Sequence, residues 1–252
     1  MRGNTFPGRE SNEANAENRT LKTEHHPMFP PRTALLFNIL KIVVCIVILE
    51  MVWSILVIYR GYFPADFTTD FLQGRQAYFF DSYQYAFYPH IIAGPFTLVF
   101  GLLLMSNRFR QFSPNWHRTI GKLQIALVLL VLAPTGFWMA WYAQIGFLGQ
   151  LGFALLAIVT AATAWFGWQT AMQRKFALHR KWMTRNYVIL CSAVVTRLLG
   201  GFFLVTGIYG DWTYYLTAWG SWLVPIVIFE FVSTSRIATF RRMVNSTVAH
   251  SS

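Results

Sequence analysis

The chain has 252 residues, 55% hydrophobic, 17% aromatic and only 12% charged. Soluble domains are about one-quarter charged, so this composition excludes an ordinary soluble enzyme and belongs to a membrane protein. The formal net charge is +11, yet the cationic residues gather beside apolar runs and no nucleic-acid-binding module is present, so the partner they point to is the anionic lipid headgroup and not nucleic acid.

Residues 1–32 are polar and mixed in charge. They bury too little apolar surface to offset chain entropy and read as a disordered cytoplasmic tail. The tail has no apolar h-region, so no cleaved signal peptide is expected and the first span acts as an uncleaved anchor. His25-His26 in this tail is a pair without further ligands and reads as solvated.

About 20 apolar residues are needed for a helix to cross a bilayer. Six runs qualify, at roughly 35–59, 86–105, 120–142, 147–170, 186–208 and 212–232. The expected fold is an all-α polytopic bundle over 33–235, with a cytoplasmic tail at 236–252. The alternate connecting segments on one side (1–32, 106–122, 171–185 and 233–252) hold seventeen Lys and Arg; the other side holds only Arg60 and Arg75, beside Asp66, Asp70, Asp81 and Asp211. By the positive-inside rule both termini are cytoplasmic, in the cytoplasmic membrane of a cell. The outer segment 60–85 ends in Tyr83-Gln84-Tyr85-Ala86-Phe87-Tyr88. It reads as an interfacial aromatic belt, with a short capping helix near Phe71–Phe80 as the alternative.

Ionisable residues inside spans are costly and mark candidate functional sites. His90 follows Pro89 near the outer end of the second span. His117-Arg118 and His179-Arg180 open the third and fifth spans on the inner side. Imidazoles at one depth on two helices are able to ligate a b-type haem or a metal, or to relay protons. His-Arg at a helix N-terminus is equally a place for a phosphate or another anion, with Arg185 nearby. Glu50 and Arg197 lie near mid-bilayer in two spans that run the same way, and are expected to pair, directly or through one polar residue, because each alone is expensive to bury. Pro134-Thr135-Gly136 is expected to kink the third span and widen a cavity. The small residues around Thr160 and Thr163, and Gly200-Gly201, read as helix-packing faces. Cys45 and Cys191 lie in apolar runs and read as inert thiols.

The ordered set His90-Ile91-Ile92-Ala93-Gly94 with Gly101, His117-Arg118-Thr119-Ile120-Gly121-Lys122, and His179-Arg180-Lys181-Trp182-Met183 with Arg185 and Arg197 resembles the bacterial membrane proteins grouped as domain of unknown function 2306, over roughly residues 70–205. The resemblance implies a multi-pass protein of the cytoplasmic membrane and no defined activity. Two functional classes follow from the residues: a membrane redox protein carrying haem b at His117 and His179, or a protein that binds or transports a small anionic or lipid ligand through His90, Glu50, Arg197, Arg118, Arg180 and Arg185.

Overall fold

The structure is a computed structural model that describes residues 31–69, 71–143, 146–208 and 210–250. The predicted tail up to residue 30, with His25-His26, lies outside them. The chain divides into two compact units, Met1–Val44 and Cys45–Ser252. The described part of the first is the opening of α1 (Pro31–Ile58); the second holds the rest of α1 and every later helix.

Among the described residues there are helices and loops and no strand. After α1 and its 3-10 turn Tyr59–Gly61 come α2 (Gln76–Met105), α3 (Asn107–Phe112), α4 (Pro114–Ala140), α5 (Gly146–Met172), α6 (Phe176–Thr206) and α7, which opens at Asp211–Tyr215, widens at Leu216–Gly220 and continues as Ser221–His250. Six helices are long and apolar enough to cross a membrane, over Asn38–Gly61, Gln76–Met105, Pro114–Ala140, Gly146–Met172, Phe176–Thr206 and Asp211–Ser235. Local signals set the ends. The Ser106 hydroxyl accepts from the amide of Phe109 and caps α3. Pro114 sits in the first turn of α4, where its missing N–H costs nothing. Gly207 ends α6 in the left-handed region at φ 67°.

The helices outrun the apolar runs in several places. α2 starts at Gln76, ten residues before the run at 86, because the aromatic stretch folds as helix with a π-helical turn at Phe79–Tyr83. His90 therefore sits near the middle of α2 and not at its end. α4 and α6 start at 114 and 176, so His117 and His179 each lie in a first turn, at matching positions. The stretch assigned to a C-terminal tail is helical as far as His250.

The core runs between the helices through Ile48, Val52, Leu98, Val128, Ala164, Leu190 and Val194. A second cluster of Tyr62, Leu72, Phe79, Tyr83 and Phe87 closes one end. Leu72 and Phe79 are fully buried, so the segment before α2 is a packed cap and not only an aromatic belt. In α5 the small side predicted from sequence is buried: Gly149, Gly152, Ala157, Thr160, Thr163 and Gly167 all face neighbours. Gly200-Gly201 differs from its reading as a packing face. Both residues are exposed and a Cβ on either meets no atom within 4 Å, because that side of α6 turns away from the bundle.

Candidate functional site

A cavity of about 260 Å³ lies between α2, α4, α5 and α6, under the aromatic cap. Its walls are mostly apolar, from Leu132, Met139, Leu156 and Ile189 among others. Its polar groups are few: His90 from α2, Thr160 from α5, Ser192, Thr196 and Arg197 from α6, Arg75 from the cap, and Tyr83, Tyr142 and Tyr214 at the same end. Among the described residues no Asp or Glu lines it.

His90 reaches the cavity because α4 lets it approach. A π-helical turn at Leu127–Leu132 precedes Pro134, and such widened turns recur at functional sites. Next to it, Gly136 leaves room for the imidazole: a Cβ there would lie 3.0 Å from His90 Cε1. His90 Nδ1 lies 3.2 Å from the Leu132 carbonyl and 3.1 Å from Thr135 Oγ1. A carbonyl only accepts, and the Thr135 hydroxyl already donates to Val131 at 2.6 Å. Nδ1 therefore carries a proton and donates. Of Pro134-Thr135-Gly136, expected to kink the span and widen a cavity, Gly136 lines the cavity, and Thr135 and Gly136 contact His90.

Arg75 is only 6% exposed. Its guanidinium donates to the carbonyls of Phe71 (2.7 Å) and Tyr142 (3.1 Å) and to Tyr78 Oη (2.9 Å), and it lies over the Phe71 and Tyr83 rings at 4.7 and 5.5 Å. Those bonds orient the group without neutralising it. Arg197 is exposed on α6 and lines the cavity; its one intrahelical bond runs from Nη1 to the Ala193 carbonyl at 3.0 Å, and its fork has further donors. Among the described residues neither cation has a carboxylate within 4 Å. Glu50, the expected partner of Arg197, is exposed on α1 and does not pair with it. Matching depth put the two charges on one level, but the rotation of α1 turns Glu50 away.

The ion pair that does form joins Arg185 of α6 to Glu230 of α7, with Nε and Nη2 on the two carboxylate oxygens at 2.5 and 2.9 Å. The Arg185 guanidinium also stacks on Trp182 at 4.6 Å. This bidentate contact clamps α6 to α7 and takes Arg185 out of the list of free cations.

At the other end from the cavity lie His117 and His179. Each lies in the first turn of its helix, and the His117 ring lies 6.4 Å from the Phe109 ring. His179 Nδ1 donates to the Gly167 carbonyl at 2.8 Å, while His117 Nδ1 is enclosed and has no hydrogen-bond partner. Asn107 Oδ1 accepts from Arg110 and from Arg180, each at 3.2 Å. Arg118 is exposed. The structure places the two histidines at matching positions in the first turns of α4 and α6, apart from the cavity that holds His90 and Arg197. Among the described residues no group of three or more His, Cys, Asp or Glu is arranged to hold a metal ion, and Cys45 and Cys191 are free thiols.

Sequence reasoning passed over three residues. Arg75 was counted only as an outer charge; its signal was a lone arginine within an aromatic segment. Gln124 and Asn186, each 1% exposed, are single amides within apolar spans, and any such polar residue in a span invites a search for its partner.

No curated protein and no solved structure matches the chain. Residues 87–233, more than half the chain and all of α4, α5 and α6 with most of α2, match the model of one family. The chain belongs to that family, the predicted membrane protein family DUF2306.

Proposed function

We propose that the protein binds a small organic anion with an apolar body in the cavity at the capped end of the bundle. The observation that carries this reading is that Arg75 and Arg197 both line a cavity with apolar walls and that no carboxylate is among its described lining residues. The Arg75 guanidinium, 6% exposed, is expensive to bury unless an anion comes to it, and the planar fork of either arginine suits a carboxylate, sulfonate or phosphate. His90 adds a hydrogen-bonding ring to the lining. The volume sits just under the ~300–1,000 Å³ of drug-sized sites, so the ligand is small. With the positive-inside orientation, both termini face the cytoplasm, the chain sits in the cytoplasmic membrane, and the cavity lies toward the outer face, beneath the cap. Arg118, Lys122, Arg180 and Lys181 then meet anionic headgroups at the inner face.

Isothermal titration calorimetry of purified protein with benzenesulfonate tests the reading, with benzenesulfonamide as the neutral control. Benzenesulfonate binds, and Arg197→Gln weakens it by about 10- to 100-fold, the worth of one charge-assisted hydrogen bond of about 1.5–3 kcal/mol. Equal binding of the neutral control, or an Arg197→Gln protein that binds as tightly as the parent, refutes it. Haem b between His117 and His179 is the second reading, favoured by the enclosed and unpartnered His117 Nδ1. It requires a Soret band in the purified protein that disappears in His117→Ala.

A further inference from the structure

Two opposite charges stand on the outside of the bundle, within membrane spans, and neither has an ionic partner in its own chain. On α1 the buried side is Ile48, Val52 and Ile55. Glu50 lies midway between Ile48 and Val52, so it is turned from that side by about half a turn and is exposed. On α6 Arg197 is exposed as well. Among the described residues the ion pair that forms joins Arg185 to Glu230 and involves neither of them. A charge left facing hydrocarbon is costly, and each of these two is the group that the other lacks.

The two charges lie at one level. α1 and α6 share the core cluster that holds Ile48, Val52, Leu190 and Val194, which sets Glu50 beside the 190–194 stretch. The Arg197 side chain runs back along α6 to bond the Ala193 carbonyl at 3.0 Å, so its guanidinium sits within that stretch. A second complement lies one turn further along. Trp53, three residues past Glu50, is 64% exposed. Gly200 and Gly201, three and four residues past Arg197, are exposed, and a Cβ on either meets no atom within 4 Å. A bulky ring on one helix against bare backbone on another is a pairing that lets membrane helices approach closely. The apolar residues beside these groups, Leu49 on α1 and Leu198 and Val205 on α6, are exposed too.

We propose that a second copy of the chain docks on this face, as a dimer about a two-fold axis along the membrane normal, with Glu50 of each copy bonded to Arg197 of the other and Trp53 of each seated on Gly200-Gly201 of the other. Such an axis leaves depth unchanged, so groups that share a level in one copy meet across the interface, and every contact occurs in both directions. It also keeps α1 parallel to the α6 it faces, so the ring one turn past Glu50 reaches the glycines one turn past Arg197. The planar guanidinium fork suits the carboxylate, and it has N–H groups enough to keep the Ala193 bond as well. Because Arg197 also lines the cavity, the partner's Glu50 stands beside the cavity wall. The dimer does not rest on the anion reading of that cavity.

The test uses the full chain, labelled with donor or acceptor dye and held at high dilution in liposomes, with Förster transfer reading association. The parent is expected to transfer. Glu50→Arg chains alone and Arg197→Glu chains alone set like charges opposite one another and are expected to lose the transfer. A mixture of the two regains it, because every interface then joins an arginine to a glutamate; pairing within one chain gives no such rescue between chains. Thermal unfolding near the parent Tm shows that each variant keeps its fold. If the reversals do not fold, Glu50→Gln and Gly201→Leu carry the decision, and each is expected to weaken association by about tenfold. A parent that stays monomeric overturns the proposal and leaves lipid as the cover of both charges. Single reversals that associate like the parent, a mixture no better than its parts, or parental association in Glu50→Gln or Gly201→Leu overturn it as well. Failure of benzenesulfonate to bind leaves all of these outcomes unchanged.

Discussion

Gly101 of α2 faces the ring of Tyr187 on α6, and the contact is close enough to give a large, directional prediction. A Cβ built at Gly101 would lie 2.3 Å from both Cδ2 and Cε2 of Tyr187. Ordinary carbon contact begins near 3.4 Å, so in Gly101→Ala the ring must retreat by about 1 Å. The ring is planar and packed at the core, and its hydroxyl bonds the Leu98 carbonyl at 3.1 Å. A shift of that size carries the hydroxyl beyond hydrogen-bond reach. Overpacking costs about 1–3 kcal/mol and the lost hydrogen bond about 0.5–1.5, giving roughly 2–4 kcal/mol in all. For a chain of this size that corresponds to a fall in Tm of about 5–15 °C. Thermal unfolding in mild detergent, followed by tryptophan fluorescence, reads it. Gly94→Ala on the same helix is the control: a Cβ there meets nothing within 4 Å, so the change should be neutral or raise stability by up to about 1 kcal/mol through helix propensity. Equal Tm values for the two variants would refute the close approach of α2 to α6.

Gly136→Ala places a Cβ 3.0 Å from His90 Cε1 and should displace the ring from Thr135, weakening benzenesulfonate binding by about tenfold in calorimetry, one lost hydrogen bond at about 1.4 kcal/mol. Glu230→Gln removes half of the bidentate pair with Arg185; because Glu230 is partly exposed, the loss should be modest, about 1 kcal/mol in detergent, and should shrink with added salt, as read by Tm. The Thr68 hydroxyl and amide hold the Asp66 carboxyl below the usual carboxylate range. That contribution to the cap is complete above the ordinary carboxylate pKa and is lost as pH falls through the lowered one; limited pepsin digestion should therefore find Thr68→Val cleaved at a higher pH than the parent. In a chain lacking its native thiols, a cysteine at Lys181→Cys should resist an impermeant maleimide in intact cells while one at Asp66→Cys reacts; the reverse pattern would invert the topology.

The number of spans and the reading of the chain as an all-α membrane bundle follow from the amino-acid sequence alone, because lipid demands long apolar helices whatever they pack against. The parallel placement of His117 and His179 follows too, since two spans that start on one side bring their first turns to one level. Depth, however, is a one-dimensional coordinate, and a site needs rotation as well. Glu50 and Arg197 share a depth, yet the face of α1 carrying Glu50 looks away, so their predicted pair does not form and Arg197 stands with Arg75 around an apolar cavity. Arg185 finds Glu230 instead, through the packing of α6 on α7. Arg75 was invisible as a site residue because its burial depends on a cap folded from residues spread between Tyr62 and Tyr142. Span periodicity cannot reveal which side of each helix meets its neighbours when all sides are apolar; only the packed bundle chooses those faces, and with them the residues that share a site.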